Sequence, residues 1–132
     1  MISQKVSKKK FIGFFSLKRK FKPFLIFNVL LLNKLITITK KSKWLILNSP
    51  SNPTGSCYSM SELEEIANVI RRHDDLYVMT DDIYEYIVYD NFKFYTLAQV
   101  APDLKDRILT VNGVSKSYCM TGWRIGYAAG PS

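Results

Sequence analysis

Four short clusters in this 132-residue chain hold side chains able to do chemistry. They are Asn52-Pro53-Thr54-Gly55, Asp81-Asp82-Ile83-Tyr84, Asn112-Gly113-Val114-Ser115-Lys116 and Gly122-Trp123-Arg124-Ile125-Gly126-Tyr127. Between them they offer a carboxamide, carboxylates, a phenol, an amine and a guanidinium. Those groups can act as nucleophile, proton carrier and anion ligand. Each cluster alone has a plain local explanation. Asn-Pro-Thr-Gly makes a turn, because Asn and Gly tolerate left-handed backbone and Pro fixes φ. An Asp pair after a strand suits a helix N-cap. A lone Lys is normally a solvated surface charge. Gly122, Gly126 and Gly130 recur every four residues, but that spacing signals helix packing only in an apolar span, which this is not.

The elements that must position these clusters give them more meaning. Trp44–Asn48 is a short apolar run closed by turn residues, which predicts a buried strand. A turn-rich loop follows it through Gly55. Ser61 and Glu64 have capping-box spacing, and Leu63, Ile66, Ala67 and Ile70 repeat at helical intervals, predicting a helix to about Arg72. Residues 76–80 read as a second strand, 108–111 as a third and 124–129 as a fourth. Residues 86–89 and 92–95, around Asp90-Asn91, predict an extended pair, and residues 96–100 a short helix stopped by Ala101-Pro102. Strands alternating with helices give an α/β fold, with parallel pairing of at least the first two strands. Ligands in such sheets bind at the carboxyl ends of the strands. All four clusters are associated with those strands, three of them directly behind one.

In this order and spacing, the clusters resemble the signature of class I and II aminotransferases of the aspartate aminotransferase type. Residues 44–55 are similar to the family's Asn-containing loop. Asp81-x-x-Tyr84 resembles its cofactor-ring pair. Gly113-Val-Ser-Lys116-x-x-x-Met-Thr-Gly-Trp-Arg124-Ile-Gly126 resembles its Schiff-base lysine motif. The resemblance runs over residues 36–132 and implies part of the large, cofactor-binding domain of the three-layer α/β/α fold (fold type I). It implies pyridoxal 5'-phosphate as cofactor and amino-group transfer between an amino acid and a 2-oxo acid. Lys116 would bond the cofactor aldehyde and later move the substrate's α-proton. Asp81 would hold the pyridinium nitrogen, its i, i+3 spacing to Tyr84 selecting it over Asp82. Tyr84 and Asn52 would bond the ring's phenolic oxygen. Arg124 would take the phosphate, with Ser115 as a second contact. Three positions depart from the family pattern. Asp82 stands where many relatives have Glu, Cys119 where a small residue is usual, and Gly113 where some have a phosphate-binding Ser.

The charge is unevenly spread. Residues 1–43 carry twelve Lys or Arg and no acid, whereas residues 44–132 carry seven basic and eleven acidic residues. The composition shift places a boundary near residue 36, between a basic arm (1–35) and the family-like part (36–132). The run from Phe24 to Leu32 is far shorter than the roughly 20 residues of a membrane span, and no small-residue cleavage site follows it. Cys57, Cys119 and His73 make no metal-ligand spacing. The expectation is a cytoplasmic protein with free thiols, no metal, no membrane and no nucleic acid, and a homodimer as in the full-length family. The resemblance lacks an upstream phosphate loop with its stacking aromatic, and a downstream small domain with its carboxylate-binding arginine. A truncated, inactive product is therefore an open alternative, and such a chain is expected to be marginally stable or aggregation-prone. A third reading takes the arm, with Phe11, Phe14, Phe15, Phe21 and Phe24 among its lysines, as a nucleic-acid or membrane-surface binder.

Overall fold

Side chains along two central strands alternate between buried and half-exposed or exposed, as a sheet covered on one face requires. The computed structural model describes residues 38–131, together with the backbone of residues 25–27. Its elements run β1 (Leu25–Phe27), β2 (Trp44–Asn48), α1 (Met60–Arg71), β3 (Tyr77–Asp81), α2 (Leu97–Val100), a 3-10 helix (Pro102–Arg107), β4 (Ile108–Gly113), a 3-10 turn (Thr121–Trp123) and β5 (Gly126–Ala129). The strands lie side by side in chain order. β1 to β4 are parallel and β5 is antiparallel to β4. β1 falls within residues 1–35, so chain ahead of the compositional boundary lends backbone to the sheet. The Lys- and Phe-rich segment before it lies outside the described residues.

The core sits on one face. Leu45, Leu47, Val78 and Ile108 of the strands join Leu63, Ile66, Ala67 and Ile70 of α1, with Leu97, Ala101 and Leu104 from the next crossover. Each fully buried Leu or Ile contributes roughly 1.5–3 kcal/mol relative to exposure. Connections of one hand put α1 and α2 on the same side, and the described residues provide a helical layer on that face. Charged side chains lock this layer together. Arg71 grips both carboxylate oxygens of Asp103 at 2.8 Å and also reaches Glu64 at 2.6 Å. Arg107 donates to the carbonyl of His73 at 2.7 Å, just beyond the end of α1. Large apolar side chains remain exposed at the C-terminal end, with Trp123 at 69% and Tyr127 at 54%.

Several local expectations are corrected. The capping box is Ser59 with Glu62, not Ser61 with Glu64. The Ser59 hydroxyl accepts from the Glu62 N–H at 3.3 Å, and Glu62 accepts from the Ser59 N–H at 2.7 Å. Both pairs have the same spacing; the earlier one wins because it buries Tyr58 before the cap and Leu63 within the first turn, as a hydrophobic staple does. The second strand ends one residue later than expected, bringing Asp81 into the ladder opposite Asn48. The extended pair at 86–95 is absent. Asp90 and Asn91 do turn the chain through positive φ (54° and 58°), but the residues before them curl instead, Ile87 N–H to Tyr84 carbonyl at 2.8 Å. The fourth strand begins at Gly126 rather than Arg124, because Arg124 takes a left-handed conformation (φ 54°, ψ 40°).

Candidate active site

Asn52, Asp81, Tyr84, Ser115 and Lys116 lie at or just after the ends of β2, β3 and β4. Alternation along β3 puts Val78 and Thr80 on the helix-covered face, and Tyr77, Met79 and Asp81 on the other. The next residue returns to the covered side. Asp82 is only 5% exposed. Burial pushes its carboxyl up to about 6, with the hydroxyls of Thr96 and Thr80 offsetting part of the effect and the charge of Glu85 adding to it. Asp81 is half-buried on the open face. Burial raises its pKa too, while the Ile83 backbone N–H pulls the other way. The pleat therefore gives the adjacent carboxylates different surroundings. Asp82 belongs to the packing layer, and Asp81 is the one facing open space.

The loop after β2 folds on itself. Gly55 N–H bonds the Ser51 carbonyl at 2.8 Å, and the Ser49 hydroxyl accepts from the Tyr58 N–H at 3.0 Å. Gly55, at φ 72°, turns the chain where a side chain would be strained. The fold of this loop presents Asn52 outward, and its Nδ2 meets the Tyr84 hydroxyl oxygen at 3.1 Å. Tyr84 is held by the turn after β3, in which Glu85 N–H bonds the Asp82 carbonyl at 2.9 Å. Lys116 lies in the turn after β4, its Nζ 5.8 Å from the centroid of the Tyr84 ring. Asn52, Tyr84 and Lys116 thus form one contiguous group drawn from three loops. Asn52 donates to the Tyr84 hydroxyl, each keeps a proton for an acceptor beside the pair, and the Lys116 amine stands over the same phenol.

The other two candidates stand differently. Ser115 is half-buried beside Lys116. Arg124 is exposed, bonds the Thr121 carbonyl at 3.3 Å, and lines a separate shallow hollow with Asn112 and Gly126. A larger open pocket of about 750 Å³ adjoins Asn52 and Tyr84, bounded also by Pro50, Cys57, Tyr89 and Phe92. The sequence reading passed over Asn48, whose carboxamide bonds the backbones of both Asn52 and Asp81. Its signal was faint: a polar residue closing an apolar strand. Among the described residues, no group of three His, Cys, Asp or Glu could hold a metal ion, and no helix is long and apolar enough to cross a membrane.

Known proteins are similar to this chain in sequence and in fold. A probable aspartate/prephenate aminotransferase of Rickettsia bellii is 72% identical over 93 residues, which are 70% of this chain and 23% of that protein. The aspartate/prephenate aminotransferase of Cereibacter sphaeroides is 60% identical over 94 residues, 71% of this chain and 24% of its own length. The crystal structure of the aspartate aminotransferase from Rhizobium meliloti superposes with a TM-score of 0.72 at 55% identity, over 74% of this chain and 24% of that one. The chain thus spans about a quarter of the length of these relatives. The family model described as aminotransferase class I and II matches residues 28–132. With the strand-end clusters, the mixed sheet and this match in agreement, the chain belongs to the class I and II aminotransferase family.

Proposed function

We propose that this chain is the cofactor-binding part of a pyridoxal-phosphate-dependent aminotransferase of the aspartate type, moving an amino group between an amino acid and a 2-oxo acid. The observation that carries the reading is the grouping of Asn52, Tyr84 and Lys116, with Asp81 at the end of the adjoining strand. This donor set fits the cofactor. Two neutral donors 3.1 Å apart suit one phenolic oxygen, a half-desolvated carboxylate suits a protonated ring nitrogen, and an amine stands within reach of the same phenol.

Pyridoxal phosphate, when bound, supplies an aldehyde that takes up an amine and a ring that accepts the electron pair left at an amino acid's α-carbon. The chain's residues do the rest. Asp81 would keep the ring nitrogen protonated, and its partial desolvation would strengthen that pairing. Asn52 and Tyr84 orient the ring through its phenolic oxygen. Lys116 would hold the cofactor at its aldehyde, and its Nζ would carry the substrate's α-proton. Arg124, with Ser115, would take the phosphate. The reading includes a homodimer, as the resemblance implies, and a reducing cytoplasmic setting suited to the free thiols of Cys57 and Cys119.

The test is direct. The purified chain is given pyridoxal phosphate, reduced with borohydride and mapped by mass spectrometry. Selective modification of Lys116, lost in Lys116→Ala, is expected. Modification scattered over the N-terminal lysines, or none, sinks the reading.

A further inference from the structure

Asn48 closes β2 and stands opposite Asp81 in the parallel register. Its carboxamide makes two bonds at once. Nδ2 donates to the Asp81 carbonyl oxygen at 3.1 Å. Oδ1 accepts from the Asn52 N–H at 3.0 Å. Beyond Asn48 the chain leaves the sheet, so Asn52 has no ladder partner to fix its height above the strand ends. Resting on the cofactor reading above, we propose that Asn48 is a positioning residue which sets the distance between Asn52 and Asp81, the two groups that grip the cofactor ring at opposite points.

The choice of side chain follows from this task. The site needs one donor and one acceptor, rigidly spaced in a short planar group. Leucine offers neither. Aspartate keeps the acceptor for Asn52 but turns an oxygen toward the Asp81 carbonyl, and glutamine reaches one methylene too far. Both bonds end on backbone atoms, so they locate the two residues while leaving the Asn52 and Asp81 side chains free for a ligand. Asn48 also lies on the same open face as Asp81, opposite the packed core, so its amide is not required to fill that core.

The experiment measures the pyridoxal phosphate concentration giving half-maximal borohydride-fixed modification of Lys116, in the unaltered chain, Asn48→Asp and Ser59→Ala. Ser59→Ala removes a helix cap away from the strand ends and reports what a simple loss of stability does to modification. Asn48→Asp is expected to raise the half-saturating concentration about tenfold, the scale of one lost hydrogen bond with an unmatched carbonyl. Support requires Asn48→Asp to exceed Ser59→Ala by threefold or more. A smaller excess overturns the proposal, as does loss of the folded circular-dichroism spectrum in Asn48→Asp, which would make Asn48 a fold determinant. Absence of Lys116 modification in the unaltered chain overturns the cofactor reading itself, whereas normal Lys116 modification with an unaffected Asn48→Asp overturns only the role of Asn48.

Discussion

Asp82 gives the sharpest quantitative handle on this fold. It is 5% exposed, and its pKa is raised from 3.8 to about 6, chiefly by burial. A carboxyl with a raised folded pKa binds more protons in the folded than in the unfolded state between those two values. Its contribution to stability is therefore complete below about pH 3.8 and is lost as pH rises through about 6. The shift corresponds to a loss of about 3 kcal/mol across that window, at roughly 1.36 kcal/mol per pH unit. Asn in place of Asp has nearly the same shape and carries no charge. Asp82→Asn should then match the unaltered chain near pH 4 and exceed it by up to about 3 kcal/mol near pH 7. Urea unfolding followed by circular dichroism at pH 4, 5, 6 and 7 measures this. Asp75 and Asp103, lowered by their Lys43 and Arg71 hydrogen bonds, do not act on Asp82 and cancel in the difference, whereas the charges of Glu85 and Asp81 act on Asp82 and belong to the effect measured. Parallel pH curves for the two proteins would refute the reasoning.

Three further substitutions test the local structure. Ser59→Ala should cost about 1 kcal/mol in urea unfolding and Ser61→Ala less than about 0.5 kcal/mol, because only Ser59 holds the N-cap; the reverse ranking would restore the later capping box. Gly113→Ser should destabilise by roughly 1–3 kcal/mol, because a Cβ there would sit 2.9 Å from the Ile125 carbonyl oxygen and 3.3 Å from Ile83 Cδ1; a thermal melting point equal to that of the unaltered chain would show that β4 and β5 yield easily.

Much of the architecture was legible because it depends on local periodicity. The apolar run 44–48 is too short for a helix and is closed by turn residues, and Leu63, Ile66, Ala67 and Ile70 carry the helical period. Where two local patterns compete, sequence alone could not choose. Ser59-x-x-Glu62 and Ser61-x-x-Glu64 are equally good caps, and burial of Tyr58 and Leu63 decides between them. Asp90-Asn91 marks a real turn, but forming a hairpin needs two flanks that pair, and Tyr84 and Ile87 satisfy backbone groups in a turn instead. The site candidates were readable as motifs in order. The bonds of Asn48 were not, because one of them joins residues 33 positions apart and exists only through the β2–β3 register.

The register also explains how scattered motifs come to one end of the sheet. Four parallel strands point the same way, so the loops bearing Asn52, Tyr84 and Lys116 must leave the sheet at one edge. Arg124 precedes its strand rather than following it, and a fifth parallel strand would have placed it at the far end. The antiparallel pairing of β5 prevents this. Gly126 lies opposite Gly113, so Arg124, two residues before Gly126, returns to the edge where Lys116 stands three residues after Gly113. That return depends on close backbone approach: the Val114 N–H reaches the Ile125 carbonyl at 3.3 Å, and no Cβ fits at Gly113 without displacing that same oxygen. The absence of a side chain at residue 113 is thus tied to the position of Arg124.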